Sequence, residues 1–277
     1  MAPQSSHTVV FSDLDGTLLD KHKRLLPEIK EAVQHLKAQD ISLIFCSSKT
    51  RSEQELILAE LDLEEPIIVE NGSGIFIPHT YFNFEYAYQD TTPKFKVIEL
   101  GVPSVVIRTI VSQAQQDADC FLKSFYSESP DFIGAVTGLS DEAALRANVR
   151  DYSEVIVTNG HTPEHFMNFE QELHSQGLCM VRNTHYSSVI GIFSDEGRAV
   201  QLLGDLLRKK HGNILSVGIA DCLDDYDMLA AVDLPFLVKD FSGNHAPISL
   251  EGLIKVEGKG PNGWLEAIQQ LPVKMFA

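Results

Sequence analysis

Two aspartates separated by a single residue, Asp13 and Asp15, follow the strand-forming run Thr8 to Phe11 and open the turn Asp13-Leu14-Asp15-Gly16-Thr17. Extended backbone sends alternate side chains the same way, so both carboxylates leave the strand end together, and Gly16 frees the turn to take a shape other residues resist. Carboxylates this close repel. A Mg²⁺ ion relieves the repulsion, and a phosphate bound to it would bring an electrophilic phosphorus within reach of a carboxylate oxygen. A calcium loop does not fit, because the positions that would need Gly and a bidentate Glu, counted from Asp13, hold Leu18 and Arg24. A plain solvated turn stays open on this motif alone, since Asp and Gly are ordinary turn residues.

A second acidic patch lies far downstream. The run Ile214 to Ala220 leads straight into Asp221-Cys222-Leu223-Asp224-Asp225-Tyr226-Asp227. One acid there would be explained by the dipole of a following helix. Four in seven residues point instead to an oxygen-rich divalent-metal site shared with Asp13 and Asp15, with Asp221 and Asp225 as ligands. Ser47, after the run Ile41 to Cys46, could hold phosphate oxygens or could cap the next helix.

Such acids need a scaffold that delivers strand ends to one place. The first third alternates apolar runs with amphipathic stretches: a strand to Phe11, a helix Pro27 to Ala38, a strand Ile41 to Cys46, a helix Ser52 to Leu61, then Pro66 to Val69. This order predicts an α/β fold, a Rossmann-like parallel sheet with helices on both faces. Ligands bind at the carboxyl ends of such strands. Three polar turns sit there: Asp13 to Asp15, Ser47-Ser48-Lys49 and Glu70-Asn71-Gly72. From about Asn83 to Ser188 the texture changes to that of an inserted α+β module, so residues 1–82 and 189–277 are expected to form the core and 83–188 a cap. After the insert come a helix Asp195 to Lys210, the strand Ile214 to Ala220, a helix near Tyr226 to Val232 and the strand Pro235 to Val238.

Composition narrows the partners. The 277 residues are 44% hydrophobic and carry a formal charge of −17, which argues against nucleic acid or an anionic membrane. A small anionic substrate remains possible if metal and a few cations neutralise it locally. Cys46, Cys120, Cys179 and Cys222 are widely spread without zinc spacing and read as reduced thiols of a cytoplasmic protein. Met1 to His7 lacks the character of a secretion signal, and no segment approaches a membrane span.

With these motifs in place, the chain resembles the haloacid dehalogenase superfamily phosphatases with a large α+β cap. Asp13 to Thr17 matches the first motif DxDGT, Ser47 the second, and Asp221 with Asp225 the fourth. The resemblance implies that Asp13 is the nucleophile, Asp15 the general acid/base and Ser47 a phosphate ligand. It implies a double displacement through an aspartyl phosphate, with Mg²⁺ as cofactor and the cap closing over the substrate. More narrowly, Cys46 to Thr50, Glu70 to Gly72, Thr137 to Ser140 and Gly260 to Trp264 resemble the mannosyl-3-phosphoglycerate phosphatase family. That likeness implies a sugar-phosphate substrate, mannosyl- or glucosyl-3-phosphoglycerate, and makes Ser48, Lys49, Glu70, Asn71 and Gly72 candidate substrate contacts. Asn71-Gly72 is also a hairpin-turn signal, and Trp264 also reads as a core residue.

Arg182, at the end of a strand in the insert, is a further candidate because a guanidinium fork matches a carboxylate. Arg150 and His185 are weaker ones. Two positions depart from the superfamily pattern. Glu196 stands where its third motif has lysine, and Asp224 where Asn is frequent. A carboxylate at 196 would repel both Asp13 and phosphate. Arg198 lies about 200° further round the helix and should face away, so compensation is expected from Lys49 or another cation. The rival reading is a weakened sugar-phosphate binding protein.

Overall fold

The computed structural model describes residues 6–158, 163–182 and 185–272. Most of the Met1 to His7 opening thus lies outside the described residues. The chain begins with β1 (His7–Ser12), α1 (Pro27–Ala38), β2 (Ser42–Cys46), α2 (Arg51–Leu61), β3 (Ile67–Val69) and β4 (Gly74–Pro78). It returns, after the insert, through α7 (Glu196–His211), β10 (Ile214–Ala220), α8 (Tyr226–Ala230), β11 (Leu234–Lys239), β12 (Ile254–Lys259) and α9 (Pro261–Gln269). These strands build a nine-stranded sheet in the order β12-β11-β10-β1-β2-β3-β4-β6-β5, where β5 is Asp90–Thr91 and β6 is Phe95–Glu99. From β12 to β3 every pairing is parallel.

Parallel strands with helices on both faces are buried on both sides, which is why β1 and β2 read as unbroken apolar runs. Alternation then sorts their side chains. Val10, Leu43, Phe45 and Val217 pack with Ile29, Val33 and Trp264 on the α1 and α9 side. Val9, Phe11, Ile44 and Cys46 pack with Ala199, Leu203 and Met228 on the α7 and α8 side. Connections leave β1 in both directions, toward β2 and β3 on one side and toward β10 and β11 on the other. Loops therefore part at the carboxyl ends of β1 and β10 and open a crevice there.

The stretch between β6 and α7 forms a second layer: α3 (Ser104–Asp117), α4 (Pro130–Thr137), α5 (Asp141–Asn148), β7 (Glu154–Val157), α6 (Pro163–Ser175), β8 (Leu178–Arg182) and β9 (Tyr186–Gly191). Its antiparallel sheet runs β7-β9-β8 and packs through Val189 and Ile156 on Ile107, Phe169 and Leu173. The boundary at Asn83 needs correcting. β5 and β6 pair into the large sheet, and Phe95 and Val97 point into its core while Lys96 between them does not. The boundary at Ser188 is likewise early, since β9 continues to Gly191. The two layers are joined by Glu70, whose carboxylate accepts from the backbone N–H groups of Asp151 (2.8 Å) and Tyr152 (3.0 Å) and from the Ser153 hydroxyl. Arg51 reaches Asp151 at 3.2 Å, and the Thr50 hydroxyl donates to the Arg146 carbonyl at 2.9 Å.

Candidate active site

The register of the central strands brings the two acidic turns together. Ser12 pairs with Ile219, and the Asp13 N–H donates to the Ile219 carbonyl at 3.0 Å, so Asp13 and Asp221 leave adjacent strand ends. Gly16 (φ +89°) lets the turn fold against Asp221; a Cβ there would lie 2.3 Å from Asp221 Oδ2. Thr17 Oγ1 donates to Asp221 Oδ1 at 3.3 Å. On the next turn, Asp225 accepts from the Cys222 N–H (3.2 Å) and thiol (3.1 Å). A buttress stands beneath. Trp264 Nε1 donates to Ser12 Oγ at 3.0 Å, and that hydroxyl donates to the Asp13 carbonyl at 2.7 Å. The Gly260-to-Trp264 segment thus stiffens the β1 end, with Pro261 at the first turn of α9 and Gly258 and Gly263 in backbone contact.

A cavity of about 320 Å³ opens over these turns, lined among others by Asp13, Asp15, Ser48, Asn71, Glu196, Asp221 and Asp225. Lys23 lines it from the loop before α1, and Val181, Tyr186 and Ser188 line it from the insert. A smaller space continues from it past Lys49, Thr137, Leu139 and Arg150. Another cavity, about 360 Å³, lies between α2 and β4 and contains none of the convergent acids.

Charge divides the site in two. Burial pushes the Asp13 carboxyl well up, reinforced by Asp225, Asp221 and Asp15. Burial also raises Asp225, with Glu196 the next cause, and raises Asp221 to about 6. Glu196 is pushed up to about 8 by burial and then by Asp13. Across the cavity the direction reverses. Burial alone would raise Asp15, but Lys49 and Lys23 outweigh it and hold the carboxyl below its ordinary value. The ion pairs are short, 3.0 Å to Lys49 and 2.6 Å to Lys23. Lys49 also meets Glu53 at 3.2 Å, and its ammonium is held charged against burial by Asp15 and Glu53.

A cation fits the repelling half. Asp221, Cys222 and Asp225 offer ligand atoms within 4.8 Å of one another. Burial and Asp225 keep the Cys222 proton on, so carboxylate oxygens dominate and a hard divalent ion suits them. Asp13 and Asp15, both expected as ligands, lie outside that group; Asp13 shares the cavity and its electrostatics with Asp221 and Asp225, whereas Asp15 is paired with cations. Its Oδ2 is taken by the lysines, while Oδ1 is buried without a hydrogen-bond partner.

The other sequence candidates divide. Ser48, Lys49 and Asn71 line the cavity or its extension, and Ser47 lies buried beneath them with Oγ accepting from the Lys49 N–H at 3.5 Å. Two require correction as substrate contacts. Glu70 is fully buried and spends its carboxylate on Asp151, Tyr152 and Ser153. Arg182 is bound to Glu170 at 2.6 Å, and its neighbour Val181 is the residue that lines the cavity, because alternation along β8 turns consecutive side chains apart. Gly72 serves packing, since a Cβ there would lie 2.4 Å from the Asp195 carbonyl. Asn71-Gly72 does close a hairpin, β3 with β4. Glu196 is buried and Arg198 exposed, as the helical spacing requires.

Sequence reasoning missed Lys23. The basic run Lys21 to Arg24, so soon after the aspartates, was the available signal. Arg150 gains weight: its guanidinium donates to Ser153 Oγ (2.9 Å) and the Ser48 carbonyl (3.4 Å) and lines the extension.

A family model described as haloacid dehalogenase-like hydrolase matches residues 10–244. A glucosyl-3-phosphoglycerate/mannosyl-3-phosphoglycerate phosphatase of Methanococcoides burtonii is 33% identical over 95% of this chain and 96% of its own. A mannosyl-3-phosphoglycerate phosphatase of Pyrococcus furiosus is 33% identical over 86% and 93%. A crystal structure of a Thermotoga maritima protein shares the fold, with a TM-score of 0.68 at 14% identity, covering 97% of this chain and 98% of that one. Sequence motif, strand order and family match coincide over most of the molecule, and the chain belongs to the haloacid dehalogenase-like hydrolase family.

Proposed function

We propose that this chain is a Mg²⁺-dependent phosphomonoesterase acting through an aspartyl phosphate on Asp13, with mannosyl-3-phosphoglycerate as the leading substrate and glucosyl-3-phosphoglycerate as the alternative. The observation that carries this reading is the meeting of Asp13, Asp15, Asp221 and Asp225 at one cavity with Lys23 and Lys49 opposite. Asp13, Asp221 and Asp225 would hold the cation, which supplies charge neutralisation for the carboxylates and the phosphate. The relatives' names support the substrate class. Residues 102–191 would act as the lid, and four free cysteines suit a reducing cytoplasm. Among the described residues no helix is long and apolar enough to cross a membrane.

An Asp13 Oδ–phosphorus bond forms as the bond to the sugar-acid oxygen breaks, and that oxygen takes a proton from Asp15. Water then attacks phosphorus, gives its proton to Asp15, and releases Asp13 and phosphate. The lysines set the order of events. While both sit on Asp15 it stays ionised and has no proton to give. An arriving phosphate dianion competes for Lys23 and Lys49, weakens their hold on Asp15 and raises its proton affinity. Ser47, Ser48 and Lys49 would steady the transferring oxygens, and Arg150 would meet the anionic glycerate.

Glu196 favours one rival reading, a sugar-phosphate binding protein with little turnover, because it adds a carboxylate where a phosphate must sit. Phosphate release from a panel of phosphate esters, with Mg²⁺ and with EDTA, separates the two. Metal-dependent hydrolysis, strongest on the glycosyl-3-phosphoglycerates and lost in Asp13→Asn, is expected. Tight binding without release would replace the enzyme by the binding protein.

A further inference from the structure

We propose that the cavity takes a second hard divalent cation, distinct from the one at Asp13, Asp221 and Asp225, held by the Glu196 carboxylate and the Asn71 side-chain oxygen. The inference rests on that reading for the first cation and goes beyond it for the second.

Two orphaned acceptors carry it. Glu196 is 6% exposed, and its Oε2 is buried with no hydrogen-bond partner. Asn71 Oδ1 is buried and unpartnered as well. Both residues line the cavity with Asp13. A third unpartnered acceptor of this cavity, Asp15 Oδ1, belongs to a carboxylate already held by Lys23 and Lys49; buried acceptors are normally satisfied, and the two that no cation reaches call for a donor or a cation. The fold holds them in place. Asn71 (φ 58°) sits in a left-handed turn between Glu70 (φ 51°) and Gly72 (φ 79°). That turn packs on the start of α7 so closely that a Cβ on Gly72 would lie 2.5 Å from the Glu196 N–H nitrogen. The Glu70 carboxylate ties the same turn to Asp151, Tyr152 and Ser153.

Charge makes the same demand. Apart from Asp15, five carboxylates line the cavity: Asp13, Asp221, Asp224, Asp225 and Glu196. One divalent cation balances two of them. The nearby ammonium groups do not make up the difference, because Lys49 is committed to Asp15 and Glu53 and Lys23 to Asp15. Any phosphate substrate deepens the deficit. Carboxylate and amide oxygens are hard donors, which selects Mg²⁺ or Mn²⁺ over softer metals.

The test is Mn²⁺ binding to the full chain without substrate, by equilibrium dialysis with electron spin resonance counting of free ion. The native chain should bind about two Mn²⁺, Glu196→Gln about one, and Asp221→Asn should keep the Glu196 ion while losing the other. Asn71→Ala, which leaves every carboxylate in place, should also fall to about one, and circular dichroism checks that each variant is folded. Glu196→Lys should bind one ion, its ammonium standing in for the second. One ion in the native chain, or two in both Glu196→Gln and Asn71→Ala, overturns the second site while leaving the first. No ion at all in the native chain overturns both.

Discussion

Asp13 and Asp15 are two residues apart, and their surroundings push them in opposite directions. Asp13 faces the turn after β10 and the start of α7, where burial and other acids raise its carboxyl. Asp15 faces Lys49 in the turn after β2 and Lys23 in its own loop before α1, and the two overcome burial and lower it. The cavity therefore has one wall that lacks positive charge and one wall that has it in fixed ion pairs. Groups of the same type whose environments pull their proton affinities apart are how a single site supplies both a nucleophile and an acid/base. The raised wall is completed by what binds, and the lowered wall by what the chain already holds.

The sharpest way to break this division is Asp13→Asn, which removes the nucleophile while keeping shape. Phosphate release should fall by at least about a thousandfold, and retained turnover would move the nucleophile elsewhere. Lys49→Ala tests the opposite wall. It should lower kcat by about a hundredfold and shift upward the alkaline limb of the pH–rate profile, where Asp15 loses the proton it gives to the leaving oxygen, since Asp15 has lost its stronger counter-charge. Unchanged kinetics would pass that role to Lys23. Glu70→Ala probes a buried residue that belongs to neither wall and ties the two layers together. It orphans the donors of Asp151, Tyr152 and Ser153, so stability should drop by roughly 2–4 kcal/mol in denaturant melts, with KM little changed in the folded fraction.

A pH series separates the walls without mutation. Glu196 and Asp221 are raised to about 8 and about 6. Between the ordinary carboxylate value near pH 4 and those values, the cation-free fold binds more protons than the unfolded chain. The stability they contribute is full below about pH 4 and is lost as pH rises through about 6 and then about 8. In EDTA the melting temperature should therefore fall across that span, and Mg²⁺ should restore more of it at the alkaline end. A restoration independent of pH would break the link between cation and acids. The smallest effect is expected from Glu196→Lys, which puts a cation directly on the raised wall. Activity should persist or rise, and complete loss would give Glu196 a positive role in turnover.

Much of this was readable in advance because it is local. The strands into Asp13 and Asp221, the turn glycine at Gly16 and helices α1, α2 and α7 follow from apolar runs and their punctuation. The late strand β12 and the helix α9 were not, because β12 alternates only weakly and α9 is short; Pro261 at its first turn was the usable sign. The β5–β6 ribbon was absorbed into the insert because aromatic, turn-rich sequence looks alike in either layer.

Side-chain destinations divide along the same line. The chain itself determined which residues sit at strand ends, since periodicity and turn chemistry act over a few residues. Only the tertiary structure decided that Glu70 ties the two layers together, that Arg182 answers Glu170, and that Lys23 closes on Asp15. A carboxylate or guanidinium will satisfy whichever partner packing brings near, whether far along the chain as for Glu70, on a neighbouring element as for Arg182, or across a folded-back loop as for Asp15. Glu196 was visible as a departure from the start, but what it implies depends on the buried, unpartnered oxygen that folding leaves facing the same cavity as Asp13.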